Sequence, residues 1–181
     1  MYKNLTAIII AGGKSSRMGQ NKSLILYKGT RLIDNAIHLM ENFTQNLLIS
    51  SNADISTISY PIIADEFTEI GPISGLYTCL KTSKTELNLI IPCDVPYIKP
   101  FIYQKLLENS DGYDAVIPRL PNGKIEPLVA CYKKAVLPVV LGQINLEDYK
   151  MVNLLDKLNA NYIDFEHAEQ FKNMNTPNDL L

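Results

Sequence analysis

One stretch of this sequence decides its fold: Ile8-Ile9-Ile10-Ala11-Gly12-Gly13-Lys14-Ser15-Ser16-Arg17-Met18-Gly19-Gln20-Asn21-Lys22. It continues an apolar, β-branched run over residues 5–11, which predicts a short strand buried on both faces of a parallel sheet. Two glycines and a polar segment with cationic side chains follow the strand. Glycines let a ligand approach the backbone, and backbone N–H groups beside cations suit a triphosphate. The stretch therefore predicts a nucleotide site at the end of the first strand.

The glycine pair alone leaves two interpretations open, a phosphate-binding turn and an ordinary turn between a strand and a helix. The segment contains neither the G-x-x-x-x-G-K-[ST] nor the G-x-G-x-x-G pattern. This disfavours a kinase-like protein and a dinucleotide-binding protein.

Length and composition limit the class of protein further. The 181 residues, 46% hydrophobic and 20% charged, predict one domain over residues 1–181 with a sizeable core. A net charge of −2 argues against bulk binding of nucleic acid or of an anionic membrane surface. We expect a cytoplasmic protein, because the sequence shows no leader and no apolar run of about 18 residues. The separated cysteines Cys79, Cys93 and Cys131 suggest a reducing compartment and buried apolar positions.

Apolar runs and helical periods alternate along the chain. Strands are predicted at residues 5–11, 47–51, 60–65, 87–92, 114–118, 125–132 and 161–165. Helices are predicted at 31–43, 71–83, 101–108, 133–141 and 147–158, with a last helix capped by Thr176 and begun by Pro177. This alternation predicts an α/β fold, a three-layer sandwich with a mostly parallel, Rossmann-like sheet between two layers of helices. The segment 121–124, Pro-Asn-Gly-Lys, predicts one antiparallel hairpin insertion.

Acidic residues follow two of the predicted strands. Asp65 and Asp94 should lie beside Gly12, because the carboxyl ends of parallel strands meet at one edge of a sheet. A single aspartate after a strand also suits a turn or a helix cap. Together with the glycine turn, however, Asp94 is predicted to bind Mg²⁺, which takes one or two carboxylates plus substrate phosphates. The chemistry predicted is a displacement at the α-phosphate of a nucleoside triphosphate, with Lys22 and Arg17 neutralising the leaving pyrophosphate.

The string Ala11-Gly12-Gly13-x-Ser15-x-Arg17-Met18-Gly19-x-x-Lys22 resembles the signature of the molybdenum cofactor guanylyltransferases, the MobA family. Three further blocks occur in the family's order. They are Asp65 with Gly71-Pro72-Ile73-Ser74-Gly75, then Pro92-Cys93-Asp94-Val95-Pro96, then Asn173-Met174-Asn175-Thr176-Pro177. The resemblance implies a fold of the nucleotide-diphospho-sugar transferase type.

The resemblance also implies a reaction and residue roles. GMP would pass from GTP to Mo-molybdopterin, giving Mo-molybdopterin guanine dinucleotide and pyrophosphate. The nucleotide would be bound by Ile10, Ala11, Gly12, Gly13, Lys22, Asp65 and Asp94. Asp94 would hold Mg²⁺, and Asn173 and Asn175 would face the pterin, with Glu126 near the same cleft. Transient contact with proteins that deliver or receive the cofactor is a further implication.

Two kinds of alternative remain open from the sequence. One is a cytidylyltransferase for the same cofactor, or a nucleotidyltransferase for a sugar phosphate or another cofactor phosphate. Gly12-Gly13 and Pro92-Cys93-Asp94 argue against both of these enzymes, and the cytidylyl branch usually carries Ala-Gly in place of Gly12-Gly13. The other is a non-catalytic accessory protein that binds the nucleotide or the pterin. The presence of both Lys22 and Asp94 disfavours it.

Overall fold

Strands and helices alternate in the computed structural model, which describes residues 2, 4–12 and 22–174. The strands are β1 (Leu5–Ile10), β2 (Leu26–Tyr27), β3 (Thr30–Arg31), β4 (Leu47–Ser50), β5 (Ile62–Ile63), β6 (Leu87–Pro92), β7 (Ala115–Arg119), β8 (Ala130–Lys133) and β9 (Ala160–Asp164). The α-helices are α1 (Leu32–Glu41), α2 (Pro72–Thr82), α3 (Pro100–Glu108), α4 (Leu137–Asn145) and α5 (Met151–Leu155). Short 3-10 helices cover Lys22–Leu24, Lys134–Val136 and Ala168–Phe171.

The described residues form a seven-stranded sheet in the order β5-β4-β1-β6-β8-β7-β9. β1 lies between β4 and β6 and runs parallel to both, and β5 continues the parallel set beyond β4. β8 runs antiparallel to its neighbours β6 and β7, while β9 is parallel to β7. The predicted α/β fold, with a mostly parallel sheet and one antiparallel hairpin, is therefore confirmed.

Helices cover both faces of this sheet. The buried side chains of α3, and those of α1 apart from Leu32, share one apolar cluster with Ala7 and Ile9 of β1. Those of α2, α4 and α5 share a second cluster with Ile8 and Ile10. Every residue of β1 is buried, which explains why its sequence is apolar on both faces apart from Thr6, whose hydroxyl forms a hydrogen bond of 2.7 Å with that of Thr85. Among the described residues, no helix is long and apolar enough to cross a bilayer.

The three cysteines are buried and unpaired, as predicted. Burial raises the pKa of Cys79, Cys93 and Cys131 to about 12, so their thiols stay neutral at ordinary pH. They behave as small apolar side chains of the core.

Two predicted helices are wrong in extent. Lys133 belongs to β8, and the segment 133–141 becomes a 3-10 turn followed by α4, which continues to Asn145. The segment 147–158 forms only the short α5, because Glu147 has a φ of +56°. That left-handed conformation stops a helix. Asp148 then accepts a hydrogen bond from the amide group of Asn153 at 3.0 Å and turns the chain into α5.

Two predicted strands are shorter than expected. In the segment 60–65 only β5 pairs, since it is an edge strand and begins next to Pro61. In the segment 125–132, Pro127 interrupts the ladder, and the chain makes an isolated bridge at Ile125 before β8 begins. The predicted helix at Pro177 lies outside the described residues.

A second, smaller hairpin is not predicted from the sequence. β2 and β3 pair antiparallel around Lys28 and Gly29, whose φ values are +50° and +84°. Two consecutive positive φ values are typical of a tight hairpin turn. The strands are too short to give a periodic signal, and lysine at the first turn position is not a usual marker of such a turn.

Candidate active site

The candidate site lies where four neighbouring parallel strands end. The last aligned residues of β1, β4, β5 and β6 are Ile10, Ser50, Ile63 and Pro92. Two positions beyond them stand Gly12, Asn52, Asp65 and Asp94. Because the strands are parallel and in register, these four residues emerge along one edge of the sheet. The sequence prediction that Gly12, Asp65 and Asp94 share an edge therefore agrees with the sheet register.

Asp94 forms an ion pair with Lys22. The Nζ atom of Lys22 lies 2.5 Å from Oδ2 of Asp94, and the two side chains are only 18% and 16% exposed. The other carboxylate oxygen, Oδ1, is buried and has no hydrogen-bond partner among the described residues. A buried carboxylate oxygen without a partner is unfavourable, so a site of this kind suits an external donor or cation.

Asp65 is held at its backbone and at one carboxylate oxygen. Its Oδ1 accepts a hydrogen bond of 2.6 Å from the hydroxyl of Ser50, and its backbone N–H donates to Oδ1 of Asn52 at 2.8 Å. Its Oδ2 lies 3.7 Å from the position that a Cβ atom would take at Gly12. Burial raises the pKa of the Asp65 carboxyl, and the Ser50 hydrogen bond partly opposes this.

A small third apolar cluster supports the Asp94 end of the site. It contains Ile25, Leu32 and Met174, with Tyr27 and Tyr97 packed against it. The Met174 side chain is fully buried there. Since Ile25 follows the 3-10 helix that carries the ion-pairing lysine, the cluster lies close to that lysine in the chain.

Met174 also joins the end of the described chain to Asp94. Its backbone N–H donates to the Asp94 carbonyl at 2.8 Å. The exposed Asn173 precedes it, so this residue, predicted to face the pterin, is next in the chain to a residue that contacts Asp94. Sequence reasoning missed Met174, because nothing in a lone apolar residue between two asparagines indicates its distant backbone partner.

The other predicted site residues divide into three groups. The side chains of Ile10 and Ala11 are buried, so any contact that they make with a ligand must come from the backbone. Glu126 follows β7, which runs in the same direction as β6, and pairs with Lys124 at 2.7 Å. Outside the described residues lie Gly13, Arg17 and Asn175.

Asp65→Asn should remove a pH-dependent loss of stability. The pKa of Asp65 is higher in the folded chain than in the unfolded one, so the folded state binds the proton more tightly. That contribution is present below the unfolded-state pKa and is lost as pH rises through the folded-state pKa. Asparagine keeps an acceptor for Ser50 and carries no charge.

Urea unfolding at weakly acidic and at neutral pH tests this expectation. The free energy of unfolding of the variant, minus that of the original protein, should increase from weakly acidic to neutral pH. A relative stability that stays constant or decreases would contradict the assignment.

Met174→Ala should lower the free energy of unfolding by about 2–5 kcal/mol, because it leaves a cavity in the third cluster. Met174→Leu, which nearly conserves volume, is the matched control and should cost less than about 1.5 kcal/mol. Urea denaturation of the three proteins gives both values. Equal stability of the alanine variant and the original chain would show that the cluster does not support this edge.

Comparison with known proteins places the chain in a family. The family model described as the MobA-like NTP transferase domain matches residues 7–161. A protein of Carboxydothermus hydrogenoformans named "Probable molybdenum cofactor guanylyltransferase" is 35% identical over 185 residues, covering 98% of this chain and 93% of the relative. A Flavobacterium johnsoniae protein with the same name is 32% identical, covering 98% and 95%.

Solved structures share the fold. Molybdopterin-guanine dinucleotide biosynthesis protein A from Archaeoglobus fulgidus superposes with a TM-score of 0.82 at 23% identity, covering 97% of this chain and 94% of that one. A putative protein from Aquifex aeolicus gives 0.81 at 29% identity, covering 94% and 93%. With the family model and the curated relatives, these matches show that the chain belongs to the MobA-like NTP transferase family and is a nucleotidyltransferase.

Proposed function

We propose that this protein is a molybdenum cofactor guanylyltransferase, which transfers GMP from GTP to Mo-molybdopterin and releases pyrophosphate. The names of its near full-length relatives support this assignment. The structural observation that carries it is the pair of Lys22 and Asp94, held at the edge of the sheet where Gly12 and Asp65 also emerge. We further propose that residues 1–181 act as one domain.

The nucleotide half of the proposed site runs from Gly12 to Asp65. The backbone of residues 10–13 and the Asp65 carboxylate bind the nucleotide, while Lys22 and Arg17 bind the phosphates. Lys22 carries a positive charge at a site that is mostly shielded from water. Such a charge stabilises a leaving pyrophosphate more strongly than it would in bulk solvent.

The chemistry is one displacement at phosphorus. An oxygen of the terminal phosphate of molybdopterin attacks the α-phosphorus of GTP, and the bond from that phosphorus to the bridging α–β oxygen breaks. GMP is thereby joined to the acceptor, and pyrophosphate departs with the bridging oxygen. A reaction of this kind needs positioning and charge neutralisation more than a strong base.

Asp94 fits the role of a Mg²⁺ ligand because its buried Oδ1 lacks a hydrogen-bond partner among the described residues. Mg²⁺ would supply positive charge that neutralises the phosphates and orients them. In the part of the chain that the structure describes, no group of three or more His, Cys, Asp or Glu side chains could hold a metal ion. One protein carboxylate completed by substrate phosphates agrees with the preference of this ion.

The acceptor half of the proposed site lies on the other side of Asp94. Asn173 and Asn175 flank Met174, whose N–H binds the Asp94 carbonyl, and they face the pterin. Glu126, in the loop after β7, borders the same edge of the sheet. We propose a cytoplasmic protein that meets cofactor-delivery proteins and molybdoenzymes only transiently.

Asp94→Asn should reduce turnover by at least about a hundredfold, because it removes the charge at the centre of the site. Asp164→Asn is the control, since Asp164 is an exposed carboxylate paired with Arg119. Steady-state rates of pyrophosphate release, with circular dichroism to verify folding, give the comparison. Activity of the folded Asp94 variant near the original level would remove this residue from the site.

Lys22→Ala should lower turnover by about 10²–10³-fold if the lysine stabilises the transition state. Lys81→Ala is its matched control, because Lys81 forms an ion pair of 2.7 Å with Glu66 in an exposed setting. The same assay measures both variants. Equal losses in the two variants would mean that Lys22 has no special role.

Nucleotide dependence tests the proposed function as a whole. Pyrophosphate release in the presence of Mo-molybdopterin should be faster with GTP than with CTP, ATP or UTP. Preference for CTP would replace the guanylyl assignment by a cytidylyl one. Binding of GTP without turnover at any supply of the pterin would favour the non-catalytic accessory protein.

A further inference from the structure

Ser50 connects the sheet to Asp65 through a buried hydroxyl. It is the last residue of β4 and is fully buried. Its hydroxyl donates to Oδ1 of Asp65 at 2.6 Å, and its backbone carbonyl accepts a hydrogen bond from Ala11 at 2.9 Å. The same residue therefore contacts both Asp65 and Ala11, the residue before Gly12.

Gly75 has no side chain, and this leaves the space that the Ser50 side chain occupies. A Cβ atom at Gly75 would lie 2.3 Å from the Ser50 hydroxyl oxygen and 3.0 Å from its Cβ. Gly75 is inside α2, where alanine is the better helix former, so glycine stands there against helix propensity. The close approach of α2 to β4 supplies the reason for glycine.

The Ser50 bond decides how Asp65 is presented. Oδ1 is occupied by the hydroxyl, and the backbone N–H of Asp65 is held by Asn52 at 2.8 Å. Oδ2 then lies on the side of Gly12 and accepts no hydrogen bond from the described residues. A carboxylate fixed in this way offers one oriented acceptor beside Gly12.

We propose that Ser50 is a positioning residue for the nucleotide: it fixes Asp65 so that Oδ2 accepts a hydrogen bond from a ribose hydroxyl or the amino group of the base, and Gly75 leaves the space for this. The proposal rests on the nucleotide-binding role of Asp65 in the proposed function. Ser50 itself acts through Asp65.

Calorimetric titration with GTP, together with steady-state kinetics, tests the proposal. Ser50→Ala should weaken GTP binding by about tenfold, as expected for a lost hydrogen bond to a charged group. The turnover number at saturating GTP should stay within about twofold, because only binding of the nucleotide is affected. Ser51→Ala is the matched control, since the neighbouring Ser51 is also buried but bonds to Ala53 in a local turn. Unchanged GTP affinity in Ser50→Ala, or an equal loss in Ser51→Ala, would overturn the proposal.

A double-mutant cycle separates positioning from a general loss of structure. In the Asp65→Ala background, Ser50→Ala should cause no further loss of GTP affinity, because the group through which it acts is gone. Additive losses would contradict the proposal. Gly75→Ala should weaken GTP binding too, and less so in the Ser50→Ala background. The Ser50 and Asp65 cycle decides the question even where Gly75→Ala does not fold.

Two nucleotide analogues identify the donor on the ligand. 2′,3′-Dideoxy-GTP lacks the ribose hydroxyls, and inosine triphosphate lacks the amino group of the base. The original protein should discriminate against one of them, and Ser50→Ala should lose that discrimination. Discrimination that Ser50→Ala leaves intact against both would overturn the proposal. If the original protein prefers CTP, the guanylyl assignment fails. The double-mutant cycle of Ser50 and Asp65, measured with CTP, then still tests the positioning role of Ser50.

Discussion

The mostly buried carboxylate of Asp94 is the constraint on which the candidate site depends. Removing a carboxylate from water is costly unless a cation and hydrogen bonds compensate for it. Lys22 compensates at Oδ2, 2.5 Å away, while Oδ1 has no partner among the described residues. Strand β6 positions the residue from one side, and Met174 holds its carbonyl from the other. The fold thus maintains a partly compensated charge, as expected where a site must accept a cation or a phosphate-bound ligand.

Much of this arrangement could be predicted from local sequence patterns. The almost entirely apolar sequence of β1 predicts a strand covered on both faces, and the parallel sheet then places the residues after each strand along one edge. That reasoning was sufficient for Gly12, Asp65 and Asp94, because each lies a fixed two positions beyond a register pair. Gly13, Arg17 and Asn175 lie outside the described residues, so the roles assigned to them rest on the sequence and stay predictions.

The features that sequence reasoning missed depend on contacts between distant parts of the chain. Met174 and Asp94 are brought together by folding, and neither residue carries a local signal of the other. Likewise, the sequence indicates only an ordinary helix glycine at Gly75, and the contact with Ser50 of β4 exists only in the folded chain. The predicted bounds of a helix are wrong where a single backbone conformation overrides a periodic pattern, as at Glu147 with its positive φ. The short β2 and β3 are below the length at which periodicity can be recognised.

A crystal structure of the protein with Mn²⁺ and a GTP analogue that resists transfer would test directly whether Asp94 binds the metal ion. Mn²⁺ takes oxygen ligands as Mg²⁺ does, and its anomalous signal locates it without ambiguity. We predict Mn²⁺ bound to Asp94 and to the analogue's phosphates, with Lys22 in contact with those phosphates and the nucleoside beside Gly12 and Asp65. A metal ion bound away from Asp94, or a triphosphate bound elsewhere on the protein, would contradict it.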